Sequence, residues 1–445
     1  MSFVFPRLRP YRISEPTGAL HTRAGVVRAD GHVLVDDAGP FNAIGTTLFP
    51  LPYLFKFERD RLRRNLEFLQ GRVHYVRALS VVGGTGWEDR AADPRWPDWD
   101  EVIAGATDLC WDAFRIRVEW CVFGNDAFTR DDASMENVVR RIGAVVAQRP
   151  EKVIAFEIMN EAWQNGLGSK RELAKHLCRV LRGLVPNLVA VTNPQEQADD
   201  NDGRKLADEI RSWYDGANAT MITHHPSRDQ RGSGGLWRPV RQPWEMQFWA
   251  ASIPSVWNID EPIGPRSSDG MDDDPERLAM TAATAPVCGC GLYTLHTGAG
   301  VRMGGAADQG GGKPYLPREK NLFEVPTMDA TLNAIVTLEQ LLPPTIANGS
   351  RQNSNANYPN HPFDTKELDE SKVLRAYASI RGSEFVCVCI QTLQDITLRA
   401  TRAMHLRIFD AAGVLLQEQD LDSGGATSVA GVPGGKGYVI VGTFR

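Results

Sequence analysis

Two segments of this 445-residue chain each end an apolar run on a glutamate. The first reads VIAFEIMNE and ends at Glu161, and the second reads SVWNIDE and ends at Glu261. Two carboxylates that face one another across a sugar can cleave a glycosidic bond, because one protonates the leaving oxygen while the other acts as nucleophile or base. We therefore take Glu161 and Glu261 as the candidate catalytic pair, and next consider the elements that must position them.

Eight short apolar runs alternate with longer helical patterns through residues 39–345. The runs are Phe41–Phe49, Val73–Val82, Phe114–Phe123, Val153–Met159, Leu188–Thr192, Thr220–His224, Ser255–Ile259 and Cys288–Leu295. This alternation is typical of βα units around a parallel sheet, and it predicts an α/β fold, a (β/α)8 TIM barrel. Active-site groups of such barrels lie at the carboxyl ends of strands, so glutamates that end the fourth and seventh runs would share one mouth.

The segments outside the barrel have patterns of their own. Residues 1–38 read as an N-terminal extension and a β-hairpin, with Asp30-Gly31 as its turn. Residues 346–371 are polar and are interpreted as a linker or a long loop. Residues 372–445 alternate in short runs broken by turn residues, which predicts a C-terminal antiparallel β-sandwich. A doubly wound open sheet is the alternative to the barrel, but no glycine-rich G-x-G-x-x-G turn follows a strand here.

With these elements in place, the sequence resembles the clan A glycoside hydrolases, the superfamily that includes family 5 cellulases and mannanases, β-galactosidases and β-glucuronidases. The resemblance rests on Asn160-Glu161, on Glu261, and on the segment GPFNAIG (39–45) that leads into the first run. It implies a retaining glycosidase that cleaves β-linked oligo- or polysaccharides by double displacement. Glu161 would be the acid/base, Glu261 the nucleophile, and Asn160 the partner of the sugar 2-hydroxyl. No cofactor is implied, since two carboxylates suffice.

The two carboxyl groups need opposite protonation states for this reaction. A general acid must hold a proton near neutral pH, so we expect the pKa of Glu161 to be raised by burial against Trp163 and by the charge of Glu261. The nucleophile must stay ionised, and Arg77, late in the second run, is the candidate that would keep it so. This residue resembles the arginine that the clan keeps beside its nucleophile.

Histidines and a tyrosine near other strand ends are candidate substrate contacts. The sixth run ends in His224-His225, of which strand alternation lets only one point inward. We favour His225 slightly, with a structural histidine as the alternative. The eighth run contributes Tyr293 and His296 but no tryptophan, whereas much of the clan places a tryptophan there under the sugar.

Tryptophans are frequent in the segments expected to form mouth loops. The chain has 11 of them, and Trp237 and Trp249 follow the sixth run. Aromatic faces suit the apolar faces of sugar rings, so we expect these two, with Trp163, to contact the substrate. The alternative for each ring is that it packs a long loop against the barrel.

Two further glutamates lie within the apolar runs. Glu119 ends an Arg115-x-Arg117-x-Glu119 alternation, for which a structural ion-pair ladder is the favoured interpretation. If Glu161 is not the acid, Glu119 is its rival. Glu157 precedes Glu161 by four residues and is expected deeper in the barrel, as the buried partner of an arginine or an asparagine.

The composition narrows the class of partner. The chain has 49 basic and 55 acidic residues, a net charge of −6, and so lacks the basic excess with which proteins neutralise nucleic-acid phosphates. No apolar run reaches the roughly 18 residues of a transmembrane helix. We therefore expect a carbohydrate partner, with neither nucleic acid nor membrane. The oligomeric state is not readable from the sequence.

The N-terminus and the cysteines bear on the cellular compartment. Residues 1–16 contain no uninterrupted apolar stretch and do not form a secretory signal, so we expect the cytoplasm, or the outside of the cell if a signal has been removed. The seven cysteines include two C-x-C pairs, Cys288/Cys290 and Cys387/Cys389. That spacing differs from a zinc ribbon, and we expect buried free thiols, with a disulfide or a metal site as the alternatives.

Two other functions stay open at this point. One is a non-catalytic carbohydrate-binding barrel related to glycosidases, against which the presence of both glutamates argues. The other is a metal-dependent barrel hydrolase that would use His224, His225, Asp260 and Glu261. Such barrels usually carry H-x-H at the end of the first strand, whereas this run ends in GTTL, so we expect no metal.

Overall fold

A three-stranded antiparallel sheet precedes the central strands of the fold. The structure, a computed structural model, describes residues 19–84, 87, 90–195, 203–228, 234–250, 255–267, 271–297, 299, 321–354 and 358–445, so the segment 1–16 discussed above lies outside the described residues. The sheet consists of β1 (Arg28–Asp30), β2 (Val33–Asp36) and β3 (Gly39–Phe41), paired in that order. The expected hairpin is present, and Gly31 in its turn has a φ of 64°, which residues with a side chain rarely adopt.

Eight parallel strands form the central barrel, which confirms the predicted fold. They are β4 (Ala43–Thr47), β5 (Tyr75–Val81), β6 (Arg117–Phe123), β7 (Val153–Met159), β8 (Leu188–Ala190), β9 (Met221–His224), β10 (Val256–Asp260) and β11 (Leu292–Leu295). Ladders join them in the order β8-β7-β6-β5-β4-β11-β10-β9. The Thr220 N–H bridges the seam between β8 and β9 by donating to Val189 O at 2.9 Å. The strands are buried along their length because a parallel barrel is covered on both faces.

Helices surround the barrel on its outer side. They are α1 (Leu51–Phe57), α2 (Arg59–Leu69), α3 (Trp99–Asp108), α4 (Asp132–Ala147), α5 (Arg171–Arg182), α6 (Gly203–Tyr214), α7 (Arg238–Ala250), α8 (Pro275–Val287) and α9 (Met328–Glu339). Among the helix starts that the structure describes, aspartate side chains cap α4 and α8. Asp131 accepts from the Ser134 N–H at 2.8 Å before α4, and Asp274 accepts from the Glu276 N–H at 2.9 Å before α8. Among the described helices, none is long and apolar enough to cross a membrane.

The C-terminal segment forms two antiparallel sheets, as its turn-broken runs predict. The strands are β12 (Ser350–Asn353), β13 (Arg375–Arg381), β14 (Glu384–Ile390), β15 (Ile396–Arg399), β16 (Met404–Asp410), β17 (Leu415–Leu421), β18 (Ala426–Val429) and β19 (Tyr438–Phe444). One sheet has the order β12-β13-β14-β19-β16-β17, and the other pairs β15 with β18. Side chains between the two sheets, including Phe385 and Leu398, form a separate core. The segment 346–371 contributes β12 to the larger sheet.

Helix α8 lies between the barrel and the larger C-terminal sheet. Its segment LAMTAATAPV (278–287) is rich in small side chains and is buried throughout. Small residues let two layers approach one helix closely from opposite sides. Val386 and Val388 of β14 accordingly pack into the same core as the barrel. The two parts of the chain therefore share one apolar interior.

Two tryptophans of the loop and helix after β9 reinforce this contact. Trp237 donates from Nε1 to Gly434 O at 2.9 Å. Trp244 stacks on Tyr377 of β13 with ring centroids 5.1 Å apart. Both rings are buried against the C-terminal sheet. For Trp237, the structure thus shows a ring that packs the segment after β9 against the C-terminal part of the chain.

All seven cysteines are buried free thiols, which confirms the expectation. Cys387 and Cys389 of β14 point into the core between the two C-terminal sheets. Cys288 and Cys290 follow α8 and belong to the larger core. Burial raises the pKa of the Cys178 thiol to about 12, which disfavours the reactive thiolate at neutral pH.

Polar side chains occupy the barrel below its mouth. Asn258 of β10 donates from Nδ2 to Glu119 Oε1 at 3.0 Å across the interior. Burial, together with the charge of Asp260, raises the pKa of Glu119. Arg117 points instead to the opposite end of the barrel, where its Nη2 donates to Asp36 of β2 at 2.9 Å. The expected ion-pair ladder is therefore wrong, because Arg117 at the amino end of β6 reaches the N-terminal sheet rather than Glu119.

Candidate active site

The two candidate glutamates follow the carboxyl ends of β7 and β10. Glu161 comes two residues after β7, and Glu261 directly follows β10. One carboxylate oxygen of each and one ring nitrogen of His225 all lie within 4.8 Å of one another. The two carboxyl groups thus meet at one mouth of the barrel, where the ends of parallel strands converge.

Both glutamates have a left-handed backbone conformation. Their φ angles are 42° at Glu161 and 48° at Glu261. This region costs a residue with a Cβ about 1–2 kcal/mol. Hydrogen bonds from the surrounding strand ends hold it: the Glu161 N–H donates to Asn193 Oδ1 at 2.8 Å, and the Glu261 N–H donates to Asp260 Oδ1 at 2.9 Å. Backbone strain of this kind clusters at functional sites, where the surroundings over-determine it.

Arg77 of β5 connects the carboxylates at the mouth. Its fully buried guanidinium donates from Nη1 to Glu261 Oε1 at 2.7 Å. Its Nη2 donates to Glu157 and, at 2.9 Å, to Asn160 Oδ1. Its Nε lies 2.6 Å from Asp260 Oδ2 as an ion pair. The arginine therefore connects β5 to the ends of both β7 and β10. Glu157 is buried and pairs with Arg77, as its position in the sequence predicts.

His225, directly after β9, lies among three carboxylates. Its Nδ1 is 3.1 Å from Glu161 Oε1 and 3.9 Å from Glu261 Oε2, and its Nε2 is 3.3 Å from Asp260 Oδ2. Burial alone would lower the pKa of this imidazole, but the charge of Glu261 and the hydrogen bonds to Asp260 and Glu161 raise it to about 10. The ring is therefore protonated at neutral pH and places a positive charge between the two glutamates.

The protonation of Glu161 differs from the expectation. Burial alone would raise its pKa, but the hydrogen bond from His225 and the charges of His225 and Arg228 lower it to about 2. The expected raised pKa is therefore wrong, because it assumed apolar and anionic neighbours and omitted the imidazolium. Burial would also raise the pKa of Glu261, but the cationic groups around it, of which His225 contributes most, lower it. Glu261 is thus ionised, as expected.

The other strand-end residues divide between the mouth and the barrel wall. His296 is at the mouth, with Nδ1 4.0 Å from Glu261 Oε2. Tyr293 does not lie at the mouth. The next residue, Thr294, points into the barrel and donates to Asn258 Oδ1 at 3.1 Å, and because side chains alternate along a strand, Tyr293 points outward. His224 is likewise turned away by the inward direction of the next residue, and burial lowers its pKa to about 3. The structure does not bring Tyr293 or His224 to the carboxylates.

The three tryptophans expected at the mouth differ in where the structure places them. Trp163 lies in the turn that begins at Glu161, is partly exposed, and has a buried Nε1 without a hydrogen-bond partner among the described residues. Trp237 is buried against the C-terminal segment instead, where its Nε1 donates to Gly434 O. The side chain of Trp249 lies outside the described part of the chain. Trp163 is thus the expected ring that remains next to a candidate glutamate.

Three residues at the mouth escaped sequence reasoning. Arg228 donates from Nη2 to Glu261 Oε2 at 2.9 Å. Gln164 donates from Nε2 to Glu161 Oε2, and Asn193 accepts from the backbone of Glu161. Each lies just beyond a strand or a candidate glutamate, which is the signal that could have found them. Many polar residues share that position, however, so position alone selects none of them.

His225 and its acidic neighbours have the spacing of metal ligands. Two sets bring one ligand atom per residue within 4.8 Å of each other: Glu157, His225 and Asp260, and Glu161, His225 and Glu261. A metal binds the neutral imidazole, so it would have to displace the proton that the neighbouring carboxylates hold on His225, whose pKa they raise to about 10. The Arg77 guanidinium also contacts carboxylates of both sets. These cations take the electrostatic place of a metal ion, so the described residues favour an ion-pair cluster.

This chain is similar to known proteins in its fold, whereas no match was found from its sequence. No protein-family model matches this chain, and no curated protein matches it. Among solved structures, a family 5 glycoside hydrolase from Bacteroides vulgatus superimposes with a TM-score of 0.61 at 14% identity, over 94% of this chain and 94% of that one. A structure described as a glycoside hydrolase gives a TM-score of 0.59 at 11% identity, over 95% of this chain and 97% of that one.

A third solved structure is more distant. The trehalose-6-phosphate hydrolase of Bacillus licheniformis gives a TM-score of 0.50 at 9% identity, over 90% of this chain and 99% of that one. At such identities the similarity shows the fold. Because nearly the whole chain is covered, it extends over the barrel and the C-terminal sheets together. The expected resemblance to glycoside hydrolases is thereby confirmed at the level of the fold.

The left-handed backbone at the two glutamates predicts an unusual response to glycine and alanine. At Glu161 and Glu261 the glycine variant should be more stable than the alanine variant by about 1 kcal/mol, because only alanine keeps the Cβ that disfavours this conformation. At Glu136, on α4, the order should reverse by about 1 kcal/mol, since glycine weakens a helix. Urea unfolding of the six variants measures these differences. The same order at all three positions would contradict the described backbone.

Proposed function

We propose that this protein is a retaining glycoside hydrolase that cleaves β-linked oligo- or polysaccharides by double displacement. The observation that carries the proposal is the approach of one oxygen of Glu161 to one of Glu261 within 4.8 Å. Retaining glycosidases hold their carboxyl groups about 5–5.5 Å apart, whereas inverting enzymes need about 6.5–9.5 Å to admit a water. The similarity in fold to glycoside hydrolases supports the proposal. We assign the reaction to the barrel, residues 39–345, and assign residues 372–445 to a C-terminal β-sandwich, to whose larger sheet β12 adds a strand.

Glu261 is the proposed nucleophile. Its carboxylate is ionised because the cations around it lower its pKa, and Arg77 fixes Oε1 at 2.7 Å. Attack on the anomeric carbon converts the carboxylate into a glycosyl ester and expels the leaving oxygen. In the second step water attacks the same carbon, and Glu261 departs as a carboxylate. The preorganised cations stabilise that departing charge without reorganisation.

Glu161 is the proposed acid/base, with His225 as its source of the proton. In the free protein this pair shares one proton, which sits on the imidazole because the pKa of Glu161 is lowered to about 2 and that of His225 is raised to about 10. Transfer along the 3.1 Å hydrogen bond from Nδ1 to Oε1 gives the neutral carboxyl that can protonate a leaving oxygen. Once it has given up this proton, Glu161 can accept one from the attacking water.

Asn160 is the proposed partner of the hydroxyl next to the anomeric carbon, as the clan resemblance implies. Arg77 Nη2 engages its amide oxygen at 2.9 Å, so Nδ2 is the atom that can donate to the sugar. His296, at 4.0 Å from Glu261, and Trp163 are proposed as further sugar contacts. An aromatic face beside the acid/base suits the apolar face of a sugar ring. The reaction as written uses no cofactor.

The two glutamates should fail in different ways when replaced. Glu261→Ala should abolish turnover, since no glycosyl ester can form. Glu161→Ala should leave an ester that water hydrolyses slowly, and added azide should restore turnover because a small anion needs no general base. Release of the phenol from aryl β-glycosides measures both effects, since a good leaving group needs little acid catalysis. The rescued product should be the β-glycosyl azide.

Glu136→Ala, on the surface of α4, is the matched control and should keep wild-type turnover. Near-normal hydrolysis by both the Glu161→Ala and the Glu261→Ala variants would overturn the catalytic assignment. A wild-type protein that binds oligosaccharides but releases no phenol from any aryl glycoside would instead favour the non-catalytic carbohydrate-binding barrel. Turnover that a chelator abolishes and a metal restores would favour the metal-dependent hydrolase.

His225→Gln should move the alkaline limb of the kcat/KM profile to lower pH. In the wild type, the shared proton stays bound until the pH rises through the pKa of His225, which is about 10. Without the imidazolium, Glu161 alone holds that proton and loses it at the much lower pKa of a carboxyl group. Glycosides with poor leaving groups reveal the shift, because they depend on acid catalysis.

The matched control for this profile is His405→Gln, on the exposed side of β16, which should leave both limbs unchanged. An alkaline limb at the same pH in the His225→Gln variant and the wild type would contradict the role of the imidazole as the source of the proton. The variant should also fold, because glutamine can keep a hydrogen bond to one of the neighbouring carboxylates.

A further inference from the structure

We propose that Arg228 is a second arginine of the nucleophile, a positioning residue that orients Glu261 and keeps it ionised. The inference rests on the proposed function, because it takes Glu261 as the nucleophile. Arg228 lies in the loop after β9, and its partner follows β10. The two residues are 33 positions apart in the chain, so their pairing is visible only in the folded structure.

Arg228 bonds both the side chain and the backbone of Glu261. Its Nη2 donates to Oε2 at 2.9 Å, and its Nε donates to the backbone oxygen at 3.0 Å. A planar guanidinium has these donors in a fixed geometry, so it locks the carboxylate against its left-handed backbone. Arg77 holds the other oxygen, Oε1, at 2.7 Å. Each oxygen of the nucleophile therefore has its own arginine.

The two arginines are not equivalent. Arg77 is fully buried and also pairs with Glu157 and Asp260, so its loss would leave buried carboxylates without a counter-charge and endanger the fold. Arg228 comes from a loop, and 10% of its side chain is exposed. Replacement of Arg228 can therefore alter the nucleophile while the paired carboxylates inside the barrel keep their partner.

One short segment governs both catalytic carboxylates. Residues 225–228 read HPSR. The first of them, His225, contacts Glu161 at 3.1 Å, and the last, Arg228, contacts Glu261 at 2.9 Å. The proline between them has a fixed φ, which limits the freedom of the segment. The geometry of the acid/base relative to the nucleophile thus depends on one four-residue segment after β9.

Charged and titratable groups face Glu261 from several elements. They are Arg77 on β5, Glu161 after β7, His225 and Arg228 after β9, Asp260 on β10 and His296 after β11. Removal of Arg228 takes one positive charge from this set, so the pKa of Glu261 should rise. The nucleophile must be ionised, and kcat/KM falls on the acid side as Glu261 is protonated. The acid limb should therefore move to higher pH.

Two variants separate the charge of Arg228 from its geometry. Arg228→Met, which removes both, should shift the acid limb to higher pH and lower kcat about tenfold or more, as misplacement of a reacting group does. Arg228→Lys should lower kcat but keep the acid limb of the wild type. An ammonium retains the positive charge, but it lacks the planar fork that bonds both Oε2 and the backbone oxygen of Glu261. Arg140→Met, on α4, should change neither. Wild-type kcat and acid limb in both Arg228 variants would overturn the proposal.

A double-mutant cycle tests the contact without turnover. Unfolding free energies are measured for the wild type, Arg228→Met, Glu261→Gln and the double variant, and the double variant should be less destabilised than the sum of the single changes. Additive changes in an active enzyme would refute the role of Arg228 and leave the proposed function standing. Coupling in a protein that hydrolyses no glycoside would refute the proposed function, and the positioning role would fall with it.

Discussion

The buried guanidinium of Arg77 is the interaction on which the rest of the site depends. A charge taken out of water into the barrel is stable only if carboxylates pair with it, and breaking such a pair costs about 3–5 kcal/mol. Glu157 and Asp260, which lie at or below the mouth, supply that pairing. Arg77 can then hold Glu261 and Asn160 in place at the surface of the same cluster. The arginine thereby links the strands that carry the two candidate catalytic groups.

The segment after β9 supplies the positive charge that offsets the repulsion between Glu161 and Glu261. Two carboxylates within 4.8 Å repel, and in isolation one of them would take up a proton. Here the imidazolium of His225 lies between them and lets both ionise in the free protein. In the proposed mechanism, the proton for the leaving group is therefore held on His225, one hydrogen bond of 3.1 Å away from Glu161, rather than on Glu161 itself. This arrangement explains why apolar burial, the usual means of raising a carboxyl pKa, has no net effect at Glu161.

Catalytic candidates at the ends of strands could be predicted from the sequence, whereas the contacts that loop residues make with them could not. A parallel barrel gathers the carboxyl ends of its strands at one mouth, so apolar runs that end in polar residues located Glu161 and Glu261. Arg77 lies within a strand and was located by its resemblance to the arginine of the clan. The lowered pKa of Glu161 depends on a partner 64 positions away, which no local pattern encodes. The prediction that Tyr293 lies at the mouth was wrong because the next residue, Thr294, is the one that points into the barrel. The prediction that Trp237 lies at the mouth could not be made correctly from the sequence, because composition alone does not distinguish a ring that lines a mouth from one that packs against the C-terminal sheets.

The proposed mechanism requires a covalent bond between Glu261 and the sugar. An activated 2-deoxy-2-fluoro glycoside of a sugar that the protein cleaves slows both steps, because fluorine destabilises the oxocarbenium-like transition states, and the good leaving group lets the ester accumulate. Mass spectrometry of the digested protein then locates it. We predict one added glycosyl group on the peptide that contains Glu261. An adduct on a different residue, or release of the first product with inverted anomeric configuration, would contradict the mechanism.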